Sequence, residues 1–190
     1  RNTWRTIREV MGTKKNKDEI PSFFRENGHI ITELTEITKG FNNFFSGIGP
    51  QLADAISRSD TSFETFLGTP EPDSFMFSHV HQTLLLEMCS KLKPKVSSGP
   101  DLISSKLLKT IMPIIVEPFC HLINLSFKTG YIPKQFKLAK VVPIFKSGER
   151  DDFNNYRPIS LLSSFSKLFE KIVARQVLHF LNHRDLFYIH

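Results

Sequence analysis

Cysteine is scarce in this chain: two residues in 190, Cys89 and Cys120, far apart in sequence. That excludes a disulfide-stapled scaffold. Both fall in apolar helical patterns and read as buried free thiols in a reducing compartment. Long apolar stretches are missing as well. No uninterrupted run reaches membrane-spanning length, and no secretory signal opens the chain. It begins at Arg1 without a methionine, so its natural N-terminus is expected upstream. Metal and nucleophile motifs are equally thin. His179 and His183 stand four apart like a zinc-binding helical pair, but no glutamate adjoins the first and no third ligand follows. They read as a cationic helix terminus. His79 and His81 have no cysteine pair or carboxylate cluster nearby. No Gly-x-Ser-x-Gly elbow and no internal repeat occurs. The residues offer no metal, flavin or dinucleotide site.

Phenylalanine, by contrast, is abundant, with 18 residues. The length suffices for one domain with a real core or for two small ones. The formal net charge of +6 hides an asymmetry. Residues 1–90 hold nine Lys/Arg against twelve Asp/Glu, whereas residues 91–190 hold sixteen against seven. The basic half carries the signature of a nucleic-acid partner, whose binding would weaken steeply with salt.

Periodicity outlines an α+β, mostly helical chain. Trp4, Ile7, Val10 and Met11 share a helical face, and Lys14–Glu19 is a charged loop. Ser22–Thr32 reads as a hairpin turning at Asn27–Gly28. Thr32 or Thr35 is expected to cap a helix bearing Ile37, Phe41, Phe44, Phe45 and Ile48, ended by Gly49–Pro50. A second short helix follows over 51–57. Ser59–Asp73 reads as a linker, Phe75–Phe77 as a short strand, and Ser78 as the cap of a helix bearing Val80, Leu84, Met88 and Leu92. Ser104 caps Lys106–Met112. Pro113 opens a long helix that Gly130 stops, and Pro133–Phe136 makes one turn. Ser163 or Ser164 starts the last helix, whose core face runs from Phe165 to Leu181. Lys167, Lys171 and Arg175 follow at intervals of four on an adjoining strip. That strip reads either as a template-facing surface or as a plain solvated face.

Between the last two helices lies Val141–Leu162, VVPIFKSGERDDFNNYRPISLL. Two short apolar arms flank a polar loop with turn residues Gly148, Asn154 and Asn155. Val142, Ile144 and Lys146 share a face by strand alternation. Pro158 pushes Arg157 extended, and Pro143 suits an edge strand or bulge. Two cations on facing arms can grip one polyanion; the plain alternative is a solubilising hairpin with two surface charges. Asp151–Asp152, in the loop beside Glu149 and Arg150, reads as a solvated fingertip.

The run LAKVVPIFKSGERDDFNNYRPISLLSSFSKLFEKIVARQV resembles the start of the reverse transcriptase domain of non-LTR, LINE-type retrotransposons, especially Jockey-like elements. The resemblance continues upstream through KPKVSSGPDLISSKLLK, PFCHLINLSFKTGYIPKQFK and FNNFFSGIGPQLA. It implies a helical region over residues 1–90, joining an endonuclease to the polymerase. It implies an N-terminal extension and partial fingers with a small antiparallel β-hairpin over 91–190, truncated before the palm. It gives Lys146 and Arg157 the role of nucleotide-phosphate contacts. It places template RNA near Gly99, Pro100 and Asp101 and along Lys167, Lys171 and Arg175. The family's extension motif usually reads GPDGI; here Leu102 stands in the last glycine's place, which bears on whether the loop keeps an unusual backbone angle.

The resemblance implies RNA-templated DNA synthesis with Mg²⁺ in the complete enzyme, acting on template RNA, a DNA primer and dNTPs, with no membrane partner. The catalytic carboxylates come later in the family's order than YRPISLL, so no catalytic and no metal residue is expected in this chain, which should not polymerise alone. The expected location is intracellular, nuclear or cytoplasmic. The rival readings are a non-catalytic RNA-binding remnant or domesticated module, and a structural helical domain.

Overall fold

The computed structural model describes residues 21–26, 28–57, 61–67 and 74–186. The helix expected at Trp4–Met11, the loop Lys14–Glu19, Asn27 of the first turn and much of the 59–73 linker lie outside them. The described chain is α+β and mostly helical. Its elements are strands β1 (Phe24–Glu26) and β2 (His29–Ile31), helices α1 (Leu34–Asp54), α2 (Gln82–Ser90) and α3 (Ser105–Thr129), strands β3 (Ala139–Phe145) and β4 (Tyr156–Leu162), and helix α4 (Ser164–His183). Short 3-10 turns lie at Phe63–Phe66, Lys134–Lys137 and Phe153–Asn155. Contacts divide the chain into two compact units, Arg1–Asp60 with Pro143–Ile159, and Thr61–Val142 with Ser160–His190.

The first unit is built on aromatic rings. β1 pairs antiparallel with β2 in the register Phe24↔Ile31 and Glu26↔His29, turning at Gly28 with φ 81°. Alternation sinks Phe24 completely. It stacks on Phe153 at 4.9 Å, and Phe41 of α1 meets Phe153 edge-on at 4.8 Å and Tyr156 at 5.1 Å. Such offset and edge-to-face pairs add to the area they bury. Gly40 makes room: a Cβ there would lie 2.5 Å from the Phe153 ring. Asp151 ties the loop down. Its carboxylate meets Arg25 Nε at 2.9 Å, and its carbonyl accepts the Arg25 N–H at 2.9 Å.

Three helices form the second unit. Leu85 and Cys89 of α2, six apolar residues of α3 from Leu108 to Ile123, and Leu168, Phe169 and Ile172 of α4 make its core. Polar side chains pin the irregular segments to it. Asn124 on α3 accepts from the Val80 N–H at 2.8 Å and donates to the Val80 carbonyl at 2.9 Å. Gln176 on α4 treats Ser78 the same way, at 2.7 and 3.1 Å. Buried Ser164 and Ser166 donate to the carbonyls of Ile103 and Phe136. Lys109 donates to the carbonyls of Ser90 and Leu92, placing a cation at the C-terminal end of α2.

Several expectations change. Gly49–Pro50 does not end α1, which runs on to Asp54 with Pro50 inside. Likewise Pro113 opens nothing: α3 is continuous from Ser105, with Pro113 and Pro118 within it. A helical proline strips the bond to the carbonyl four residues earlier; here Ser46 and Ile114, which Pro50 and Pro118 leave unbonded, are exposed, and Lys109, which Pro113 leaves unbonded, is half-buried. Neither Thr32 nor Thr35 caps α1; Glu33 stands there without a side-chain bond. Phe75–Phe77 is not a strand: no described strand pairs with it, and its rings pack on Phe180 and Phe127 instead. Ser78 caps nothing, and α2 begins only at Gln82, after His81. The 59–73 linker contains a 3-10 turn capped by Ser62. By length and composition alone α3 is long and apolar enough to cross a membrane, although Lys109, Thr110, Glu117, His121 and Asn124 interrupt its apolar residues; in this fold it is the core helix of its unit. Ser104, Gly130 and Ser163 cap as expected.

Asn124→Ala removes both partners of a buried backbone segment and is expected to cost about 2–4 kcal/mol in urea unfolding. A loss below roughly 1 kcal/mol would mean water replaces the amide. Burial pushes the thiols of Cys89 and Cys120 above their ordinary range. At pH 8 they should react with a disulfide reagent far more slowly in the native protein than in denaturant; equal rates would contradict their burial.

Candidate nucleic-acid interface

In the first unit the tip of the β3–β4 ribbon carries the two cations. The strands pair with each other, and just beyond them the Lys146 N–H donates to the Asn155 carbonyl at 2.7 Å. Phe145 and Tyr156 face each other with rings 5.5 Å apart and belong to the aromatic cluster. Alternation then sends their neighbours to the opposite face: Ile144 and Lys146 on one arm, Arg157 and Ile159 on the other. All four are exposed. Neither Lys146 nor Arg157 has an ion-pair partner among the described residues. Of the loop's three acids, Glu149 is exposed without an ion-pair partner among the described residues, and the other two are engaged elsewhere. Asp151 is held by Arg25, with 13% of its side chain accessible, and Asp152 caps the 3-10 turn by accepting from the Asn154 backbone and side-chain amides. The solvated-fingertip reading of Asp151–Asp152 is thus corrected, since Asp151 is an internal anchor. Arg150, whose guanidinium lies 4.5 Å above the Phe145 ring, donates no charge to the outer face either.

The second unit gathers lysines. A cleft of about 490 Å³ is lined by Lys91, Lys93 and Lys95 on one side and Lys167 and Lys171 of α4 on the other, with Glu170 as its lone acid. Lys93, Lys95, Lys167 and Lys171 make no ion pair with a described residue. Ser105 holds the lysine loop in place: its hydroxyl donates to the Lys93 carbonyl at 2.8 Å and accepts the Lys95 N–H at 2.9 Å. Arg175 is separated from this group. Its guanidinium lies 3.7 Å from Glu87, which also binds Lys91. The hydrogen bond and charge of Lys91, and then Arg175, hold the Glu87 carboxyl below its ordinary range. The alternating Lys-x-Lys-x-Lys pattern was visible in the sequence; its position opposite α4 was not.

The loop between α2 and α3 splits its three candidate residues. Gly99 is buried, and a Cβ on it would come within 2.6 Å of the Leu162 and Ser163 backbone, so it serves close packing. Pro100 and Asp101 are exposed, and Asp101 accepts the Ile103 N–H. Leu102 has φ 60°, with its side chain 80% accessible. The loop keeps the left-handed turn that the usual glycine would supply, with a leucine in it. A bulky residue there is strained, and such strain collects where a loop shape serves function. Among the described residues no three of His, Cys, Asp and Glu converge on a metal position.

Leu102→Gly should therefore raise stability by about 0.5–1 kcal/mol, the left-handed penalty less glycine's entropy. An unchanged or lowered melting temperature would count against strain there. Gly99→Ala should lower stability by about 1–3 kcal/mol through overpacking, and a neutral result would show the Leu162–Ser163 backbone can yield.

No family model matches the chain. It is similar to RNA-directed DNA polymerases of mobile element jockey, at 32% identity over 93 residues in Drosophila funebris and 28% over 116 residues in Drosophila melanogaster. Those alignments cover 48% and 60% of this chain but 10% and 13% of the relatives. A 115 kDa protein of the type-1 retrotransposable element R1DM of Drosophila melanogaster is 25% identical over 178 residues, covering 92% of the chain and 16% of the relative. The chain thus spans about a tenth to a sixth of the curated relatives it matches. The Jockey-like resemblance read from the motifs is borne out: this chain is similar to a part of non-LTR retrotransposon RNA-directed DNA polymerases.

Proposed function

We propose that this chain is the nucleotide- and template-gripping part of the RNA-directed DNA polymerase of a non-LTR retrotransposon. The observation that carries this reading is the outer face of the ribbon tip, where two unpaired cations and two exposed aliphatic residues stand opposite a closed aromatic seam. Arginine offers a rigid fork to phosphate oxygens and lysine a compact charge. On this reading Lys146 and Arg157 hold the phosphates of the incoming dNTP. The lysine cleft of the second unit, with Pro100 and Asp101 on the loop beside it in sequence, holds template RNA. Residues 1–90 join the polymerase to what precedes it, and residues 91–190 form the N-terminal extension and part of the fingers. The protein acts inside the cell, in nucleus or cytoplasm, where template RNA and a DNA primer meet.

Nucleotidyl transfer of this class uses two divalent cations, Mg²⁺ here, to activate the primer hydroxyl and stabilise the leaving group. Asp151 and Asp152 do not suit that task, being committed to Arg25 and Asn154. The metal-binding carboxylates are assigned to parts of the polymerase outside these 190 residues. What this chain contributes is grip: it binds phosphate, orders the nucleotide and keeps template in register.

Arg157→Ala in a complete polymerase should raise the KM for dNTP and lower kcat, a combined loss of about 1.5–3 kcal/mol for a charge-assisted contact. An unchanged dNTP response would remove the assigned role. The 190-residue chain by itself should incorporate no dNTP on a primed RNA template with Mg²⁺, while still retaining the RNA in a filter assay at low salt. Incorporation by the chain alone, or no RNA retention, would each overturn a part of the reading.

A further inference from the structure

Along α4 the strip of Lys167, Lys171 and Arg175 does not stop at the arginine. His179 and His183 continue it at the same interval of four. Sixteen residues of helix span about 24 Å, and each step of four turns the strip by about 40°, so it winds slowly around α4. It leaves the lysine cleft and enters a second one. This second cleft, of about 700 Å³, is lined by Arg175, His179, His183 and His79, with Phe75 and Phe180 among its apolar residues. No aspartate or glutamate lines it. His179 and His183 stack with centroids 6.2 Å apart. The charged groups on the elements around them are Arg184 and Asp185 just beyond α4, Glu87 on α2, already paired with Lys91 and Arg175, and Lys128 on α3. His81 lies against His79 with rings 5.0 Å apart.

We propose that the His79–Arg175–His179–His183 cleft is a second single-stranded nucleic-acid site, continuous along α4 with the lysine cleft, whose grip strengthens as its histidines take up protons. An acid-free, cationic and aromatic-lined cleft suits a phosphodiester backbone with bases against apolar rings. Histidine gains its charge in the range just below neutral pH, so this end of the track responds to pH where the lysine end does not. The proposal rests on the nucleic-acid reading of the lysine cleft and extends it.

The test is fluorescence anisotropy of the full 190-residue chain with labelled twelve-nucleotide oligouridylate and, as a second arm, oligothymidylate, at pH 7.5 and 6.0. The expected result is an affinity gain of about threefold or more on acidification that disappears in His179→Ala/His183→Ala and persists in His121→Ala, which alters a histidine on α3 outside the cleft. His179→Gln/His183→Gln, which keeps polarity without charge, should also lose the gain. Thermal melts at both pH values check that the variants are folded. A gain in both oligonucleotides marks a site for single strands in general, and one confined to RNA assigns the site to template. The proposal fails if the double variants keep the gain, or if the parent protein binds at pH 7.5 with no gain at 6.0. Failure to bind at either pH would overturn the lysine-cleft reading as well, which separates the two failures.

Discussion

The ribbon tip depends on one constraint: a strand cannot bury two successive side chains on the same face. Phe145 and Tyr156 are drawn inward by the aromatic cluster of Phe24, Phe41 and Phe153. Lys146 and Arg157, their chain neighbours, must then point out together. The cluster thereby does more than stabilise the first unit. It aims two cations at the same side, while Arg25 holds Asp151 within the first unit.

The second unit solves a different problem. Its helices enclose a modest core, and the segments between them have few backbone partners of their own. Asn124 and Gln176 act as substitute strands for Val80 and Ser78, while Ser105, Ser164 and Ser166 hold the loops before α3 and before α4. These neutral side chains fix irregular backbone without consuming charge. Lys93, Lys95, Lys167 and Lys171 are left without an ion pair among the described residues, and the strained Leu102 loop keeps its turn beside the first two in sequence.

Features legible in the sequence were those decided within a few residues. Ser104 and Ser163 cap because a hydroxyl before a helix meets free N–H groups, and Gly130 stops α3 because it alone adopts the left-handed turn cheaply. Both hairpins followed from apolar alternation around turn residues. The misreadings share a cause. Pro50 and Pro113 look like helix boundaries only when the exposure of the surrounding turns is unknown. Phe75–Phe77 looks like a strand because an extended apolar segment reads the same whether it pairs with a strand or packs its rings on helices α3 and α4. Asp151 looks solvated because Arg25 is distant in sequence.

Local chemistry and word-like motifs were enough to establish the α+β, mainly helical character, the two cation-bearing arms and the resemblance to retrotransposon polymerases. Those properties depend on residue order and short-range sterics. Tertiary structure alone decided which charges stay unpaired, that Gly99 packs while Pro100 and Asp101 reach solvent, that lysines from two distant segments line one cleft, and that two histidines at a helix end line a second. Such facts depend on which distant side chains come within a few ångströms of one another, and residue order by itself does not contain them.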